Sequence, residues 1–217
     1  MASPWVFICL LSALAKTGFS LECTQCMAIG LSSCTEGPII TCPQGHVCTS
    51  MYQETIEDGK TNELLYRSCG PTSHCNKTGS FTIEKNSARL GISCCFTDKC
   101  YPPLPQLQSA STRRNGKVCQ MCSEGNEACS GTKTIDCVGN ENKCLLQVAK
   151  IKAGSDENVE SFRGCSTRSI CDIGNLNISF GFLEMESTFL CSGGAITMYR
   201  GLDFSMISAI VLLILLK

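Results

Sequence analysis

Two runs of cysteines in this chain repeat one another almost step for step. The first run is Cys23, Cys26, Cys34, Cys42, Cys48, Cys69, Cys75, Cys94, Cys95 and Cys100, and the second is Cys119, Cys122, Cys129, Cys137, Cys144, Cys165, Cys171 and Cys191. Successive steps in the first run, as far as Cys94, are 3, 8, 8, 6, 21, 6 and 19 residues; in the second they are 3, 7, 8, 7, 21, 6 and 20. Agreement within one residue at every step marks a duplicated module, with small differences where hairpin tips tolerate insertion. The 19 cysteines among 217 residues also set the compartment. A short module cannot bury enough apolar surface to fold unaided, and cysteines at this density supply the missing constraint as disulfides in an oxidising environment.

Both chain ends read as processing signals. Trp5 to Ala15 is an apolar core too short to span a bilayer, and Gly18 and Ser20 provide small residues for cleavage after Ser20. Removing residues 1–20 as a signal peptide also removes Cys9, and an even set of cysteines remains. Near the other end, Ser192, Gly193, Gly194 and Ala195 are small, Ile196 to Asp203 form a spacer, and Phe204 to Leu216 are apolar with only Lys217 beyond. Small residues, spacer and hydrophobic tail in that order signal exchange of the tail for a glycosylphosphatidylinositol (GPI) anchor. Gly193 is the favoured attachment residue, with Ser192 and Gly194 as alternatives. A single-pass helix is the rival reading, although the apolar run reaches only about 20 Å at 1.5 Å per residue.

The intervening chain divides into a first module at 21–100, a linker at 101–117 and a second module at 118–192. The linker, "YPPLPQLQSASTRRNGK", begins with prolines and has no apolar period, so an extended, exposed connector is expected. Such a connector offers no means of locking the modules together, and independent folding of residues 21–100 follows as an expectation. Arg113 and Arg114 read as a solvated pair of charges, with a protease site as the alternative. Within the modules, Asp58-Gly59 between strand-like flanks predicts a hairpin, and alternating Leu146, Val148 and Ile151 before a polar tip at Gly154 to Asn158 predict another. A third lies between Cys75 and Cys94. No helical stripe is present, so the fold class is small, disulfide-rich and all-β.

Little in the chain points to chemistry. The CxxC pairs Cys23/Cys26 and Cys119/Cys122 are candidates for half a zinc site or a redox dithiol. Histidines occur only at His46 and His74, both in the first module, and neither CxxC sits at a strand-to-helix turn that would acidify a thiol. Structural disulfides are therefore expected, with no metal, cofactor or catalytic residue. The histidines read as exposed loop residues. Glu54, Glu57 and Asp58, and likewise Asp156, Glu157 and Glu160, cluster toward finger tips as solvated faces or as an acidic recognition edge. A net charge of −1 gives no reason to expect nucleic acid as a partner.

Spacing alone leaves the disulfide pairing open. The L-x-C-x-x-C start at Leu21, the ten cysteines in this order and the C-C-x4-C ending resemble the urokinase-receptor/lymphocyte-antigen-six (LU) family of three-finger domains. The resemblance covers Leu21 to Cys100, and the second copy extends it from Val118 to Cys191. It implies the pairs Cys23–Cys48, Cys26–Cys34, Cys42–Cys69, Cys75–Cys94 and Cys95–Cys100, followed by Cys119–Cys144, Cys122–Cys129, Cys137–Cys165 and Cys171–Cys191. It further implies two tandem three-finger domains, each with three hairpins projecting from a knotted palm. Two departures stand out. Tyr101 follows Cys100 where the family usually has asparagine, which removes a palm contact. Ser192 stands where Cys95 stands in the first copy, and nothing matches Cys100, so the second module lacks its last disulfide; an altered terminal exon or a gene-model error would produce the same ending.

Two such domains in tandem also resemble the gamma-type phospholipase A2 inhibitors. The function this implies is a non-enzymatic extracellular binding protein that uses its finger loops, displayed at the cell surface by the GPI anchor or secreted. The expected partner is a protein ligand, with secreted phospholipase A2 as one candidate and a receptor or ion channel as another. Asn76-Lys77-Thr78 and Asn177-Ile178-Ser179 are standard N-glycan acceptors, expected on exposed third-finger segments.

Overall fold

Hairpins dominate because turn residues sit between runs that alternate in polarity. The computed structural model describes residues 20–30, 34–122, 129 and 133–192. The first module contains β1 (Glu22–Thr24), β2 (Cys26–Ile29), β3 (Ile39–Thr41), β4 (His46–Glu57), β5 (Lys60–Pro71), β6 (Thr78–Ile83) and β7 (Asn86–Cys95). The second contains β8 (Arg114–Gln120), β9 (Thr134–Val138), β10 (Lys143–Ala153), β11 (Asp156–Ser166), the one-turn helix α1 (Arg168–Cys171), β12 (Asn175–Phe180) and β13 (Leu183–Ser192). Between β4 and β5 the two-residue turn is Asp58-Gly59, with φ of 47° and 77°. Positive φ at both central residues matches the right-handed strand twist, which is why this dipeptide closes long hairpins. The second module's matching turn is only Gly154-Ser155, since Asp156 already pairs with Ala153, so its polar tip is shorter than the sequence suggests.

Each module knots its strand bases with sulfur. The first holds Cys23–Cys48, Cys26–Cys34, Cys42–Cys69, Cys75–Cys94 and Cys95–Cys100. The second holds Cys119–Cys144, Cys122–Cys129, Cys137–Cys165 and Cys171–Cys191. The three clusters of cysteine sulfurs close enough to suggest a metal site, among the described residues, consist wholly of these bridged cysteines, which have no thiolate to offer.

The modules are joined edge to edge, although the linker gave no sign of anything to lock them together, and no disulfide among the described residues crosses between them. Strands from both form one nine-stranded sheet in the order β12-β13-β10-β11-β6-β7-β4-β5-β2. The join is β11 against β6, where Cys165 faces Thr82 and Ser166 faces Phe81. Two glycines permit it. A Cβ at Gly164 would overlap the carbonyl of Thr82, and one at Gly79 would overlap the hydroxyls of Thr167 and Ser169. Further along the join, Thr167 N–H donates to Ser80 O at 2.9 Å and Ser169 Oγ to Thr78 O at 2.6 Å.

The sheet then curls until its two ends touch. Tyr66 in β5 donates its phenol proton to Ser179 O of β12 at 2.9 Å, and Gln25 Nε2 donates to the same carbonyl at 2.6 Å. One apolar core fills the curl, with Met51, Tyr66, Leu90 and Ile92 from the first module and Leu145, Ile170, Ile173, Ile178 and Phe189 from the second. Phe81 and Phe189 meet across the join with ring centroids 6.3 Å apart. Burying a large apolar side chain here contributes roughly 1.5–3 kcal/mol, and the core draws its side chains from both modules.

The linker is extended, as expected, but it is strapped to the first module instead of hanging in solvent. Along β7, Leu90 and Ile92 face the core while Arg89, Gly91 and Ser93 face the strap. Ser93 Oγ bonds Pro103 O, Arg89 Nη1 donates to Gln108 O at 3.1 Å, and Pro105 occupies the space a Cβ on Gly91 would need. β8 takes its first residues, Arg114 to Lys117, from the segment expected to be linker. Tyr101 makes a contact of its own: its hydroxyl donates to Thr35 O at 3.0 Å, and the Arg67 guanidinium lies 5.5 Å from its ring centre.

Candidate binding surface at the join of the modules

Curling leaves two seams between the modules, and each carries a buried titratable side chain. At the β5–β12 seam stands His74, whose Nε2 lies 3.0 Å from Ile173 O. The neutral imidazole donates that bond. His74 is buried, and burial pushes its pKa below the usual histidine value, so it is not the exposed loop residue the sequence suggested. His46 is half-buried at the edge of the same cavity, which holds about 390 Å³ and is also lined by Met51, Tyr66, Leu176 and Asn177.

At the β6–β11 seam stands Glu141, only 3% exposed. Its Oε1 accepts hydrogen bonds from Ser80 Oγ at 2.8 Å and Thr82 Oγ1 at 3.1 Å, both in the other module. Burial raises its pKa above the usual carboxylate value, and the two hydroxyls offset part of that. No sequence pattern marks this residue. It lies in a turn, and only the fold brings it under β6.

The acidic clusters separate by position. Glu54 is not at a tip; it pairs with Arg89 of the neighbouring strand and accepts a bond from Tyr52 Oη at 3.2 Å. Burial, then the charges of Glu54 and Glu63, push the Tyr52 phenol up to about 12, so it stays a neutral donor. Glu57 and Asp58 do occupy the exposed tip of the first module, and Asp156 and Glu157 that of the second. Asn158 Nδ2 holds Glu160 at 2.8 Å. A further exposed feature was not read from the sequence: the tip of the β12–β13 hairpin carries Phe180 and, 78% exposed, Phe182.

Both glycan-acceptor asparagines are exposed, Asn76 just before β6 and Asn177 within β12. Ser192 ends β13, exposed to solvent. Gly193 and Gly194, the hydrophobic tail, and residues 1–19 lie outside the described residues. Among the described residues no helix is long and apolar enough to cross a membrane.

Two small, all-β, disulfide-knotted modules that each project hairpins from a palm define a three-finger protein. The u-PAR/Ly-6 domain model matches residues 20–103 and 115–194, and the chain belongs to that family. It is 26% identical over 190 residues to the phospholipase A2 inhibitor NAI of Notechis ater, covering 86% of this chain and 94% of that inhibitor. It is also 24% identical over 201 residues to the urokinase plasminogen activator surface receptor of Aotus trivirgatus, covering 86% of this chain but 58% of the receptor. Among solved structures, the crystal structure of mouse TEX101 matches with a TM-score of 0.30 at 16% identity, over 79% of this chain and 98% of that one.

Proposed function

We propose that this chain is a non-enzymatic extracellular binding protein that presents its two modules to a protein ligand as one body. The observation that carries the reading is the shared sheet. Because β6 and β11 are hydrogen-bonded and one core spans both modules, the finger tips are held in fixed relation, as a surface for capturing a folded partner needs to be. Display at the cell surface by a GPI anchor at Gly193, or at Ser192 or Gly194, is the form we favour. Release of the native protein from cells by phosphatidylinositol-specific phospholipase C tests the anchor; surface display that resists the lipase, or a protein found only in the medium, excludes it. Capture of a defined extracellular protein by the full chain, lost when Phe182 and Phe180 are replaced by serine, tests the binding surface.

Inhibition of a secreted phospholipase A2 is the second reading. It draws on the length match, since the NAI inhibitor aligns over nearly its whole span. A titration of the full chain against a panel of secreted phospholipases A2 checks it, and activity unchanged at excess chain removes it.

N-glycans at Asn76 and Asn177 belong to the same extracellular reading. Asn177 is exposed while its neighbour Ile178 is buried in the shared core, so a glycan on Asn177 would project away from that core. Intact mass before and after glycosidase treatment, with Asn76→Gln and Asn177→Gln as controls, decides each site.

A further inference from the structure

The seam that holds Glu141 contains two buried polar atoms without partners. One is Glu141 Oε2, the oxygen not engaged by Ser80 and Thr82; the other is Arg89 Nε. Both residues line one cleft of about 220 Å³ between β6, β7, the strap and the turn before Glu141. Exposed Ser109, Ala110 and Asn140 form its mouth, so it is reached from solvent. An unpartnered oxygen on a buried carboxylate forfeits hydration without replacement, at a penalty that a bound donor would relieve.

The charges select the ligand. Glu54, Arg89 and Glu141 are the ionisable groups lining the cleft, and Glu54 is already paired with Arg89. That leaves Glu141 as the uncompensated charge. An arriving anion would meet it unfavourably, and a neutral donor would leave the buried charge in place. Hydroxyl groups of Ser80, Thr82 and Ser87 add acceptors around the same space. We propose that this inter-module cleft receives a primary alkylammonium group, whose N–H donors satisfy Glu141 Oε2 while its carbon stem fills the cleft. The proposal deepens the binding reading, resting on it for the source of the ammonium, a partner's lysine, but not for the site itself.

The test uses the full chain and n-butylammonium chloride at neutral pH and constant ionic strength, with n-butanol and sodium chloride as controls. A saturable rise in the thermal midpoint with butylammonium alone is expected, weakened more than about tenfold in Glu141→Gln, as removing one partner of a buried charge pair should do. The side-chain carbonyl of that variant still accepts from Ser80 and Thr82, so folding should survive. Should it not, Ala110→Leu narrows the mouth without touching Glu141 and must also reduce the response. Nα-acetyl-lysine N-methylamide then distinguishes a peptide lysine from a free amine by which of the two binds more tightly. No saturable response, an equal response to butanol, or an undiminished response in both variants assigns the cleft to water and overturns the proposal. A failed pull-down with an intact butylammonium response would instead count against the protein-binding reading alone.

Discussion

The phenol of Tyr66 closes the curled sheet by bonding twice to Ser179, donating to its carbonyl at 2.9 Å and accepting from its N–H at 3.2 Å. Those residues lie 113 apart in sequence and in different modules. Tyr66→Phe keeps the ring in the core but removes the acceptor of the Ser179 N–H, while the Ser179 carbonyl keeps its bond from Gln25 Nε2. A loss of about 1–2 kcal/mol is expected. Urea unfolding should show it as a lower midpoint with an unchanged slope if the modules unfold together.

Gly164→Ala should open the other seam. The new methyl meets the Thr82 carbonyl, which is backbone and cannot rotate aside. Overpacking at such a contact costs typically about 1–3 kcal/mol. Hydrogen exchange should quicken at Phe81, Thr82 and Thr167 while the β4–β5 amides keep their protection. Unchanged exchange at the seam would mean the modules do not share this edge in solution.

Disulfides should differ in worth according to the loop each closes. Cys171–Cys191 spans 20 residues and Cys95–Cys100 spans 5. Loop-entropy arguments make removal of the longer link worse by about 1 kcal/mol. Paired serine variants compared by thermal unfolding check this. The comparison bears on the second module, whose described residues hold four bridges with none in the position of Cys95–Cys100.

Acid should act on the two seams in opposite directions. His74 has a pKa held below its ordinary 6.5 by burial, so the unfolded chain takes up the proton first. Its contribution is complete above that value and is lost as pH falls below it. Lys77 and His46 add to the effect by disfavouring a second positive charge. Glu141 has a raised pKa, so the folded chain takes up the proton first, and stability from this group increases as pH falls toward its ordinary 4.5. His74→Gln should therefore flatten the decline below pH 6.5. Glu141→Gln should raise stability at neutral pH and change it little in acid. Thermal midpoints of both variants across this range provide the check.

Local features of this protein were legible in its residues because their causes are local. Repeated cysteine steps reveal two modules, since equal chain lengths between sulfurs impose equal geometry. Asp58-Gly59 marks a hairpin because positive φ is needed at just those positions. The all-β class follows from alternation without a helical period. How the modules meet was not legible. Leu90, Ile92, Ile178 and Phe189 announce a buried face on their strands but not what covers it, and a linker rich in proline and serine looks the same whether it is strapped down or loose. Spacing likewise left the sulfur pairing open, which proximity in three dimensions decides. Glu141 acquires its character only when β6 lies against it, because a carboxylate in a turn is ordinary until its water is removed. Periodicity records the surroundings of a strand within a few residues; contacts between residues 113 apart, such as Tyr66 and Ser179, depend on the path of the whole chain.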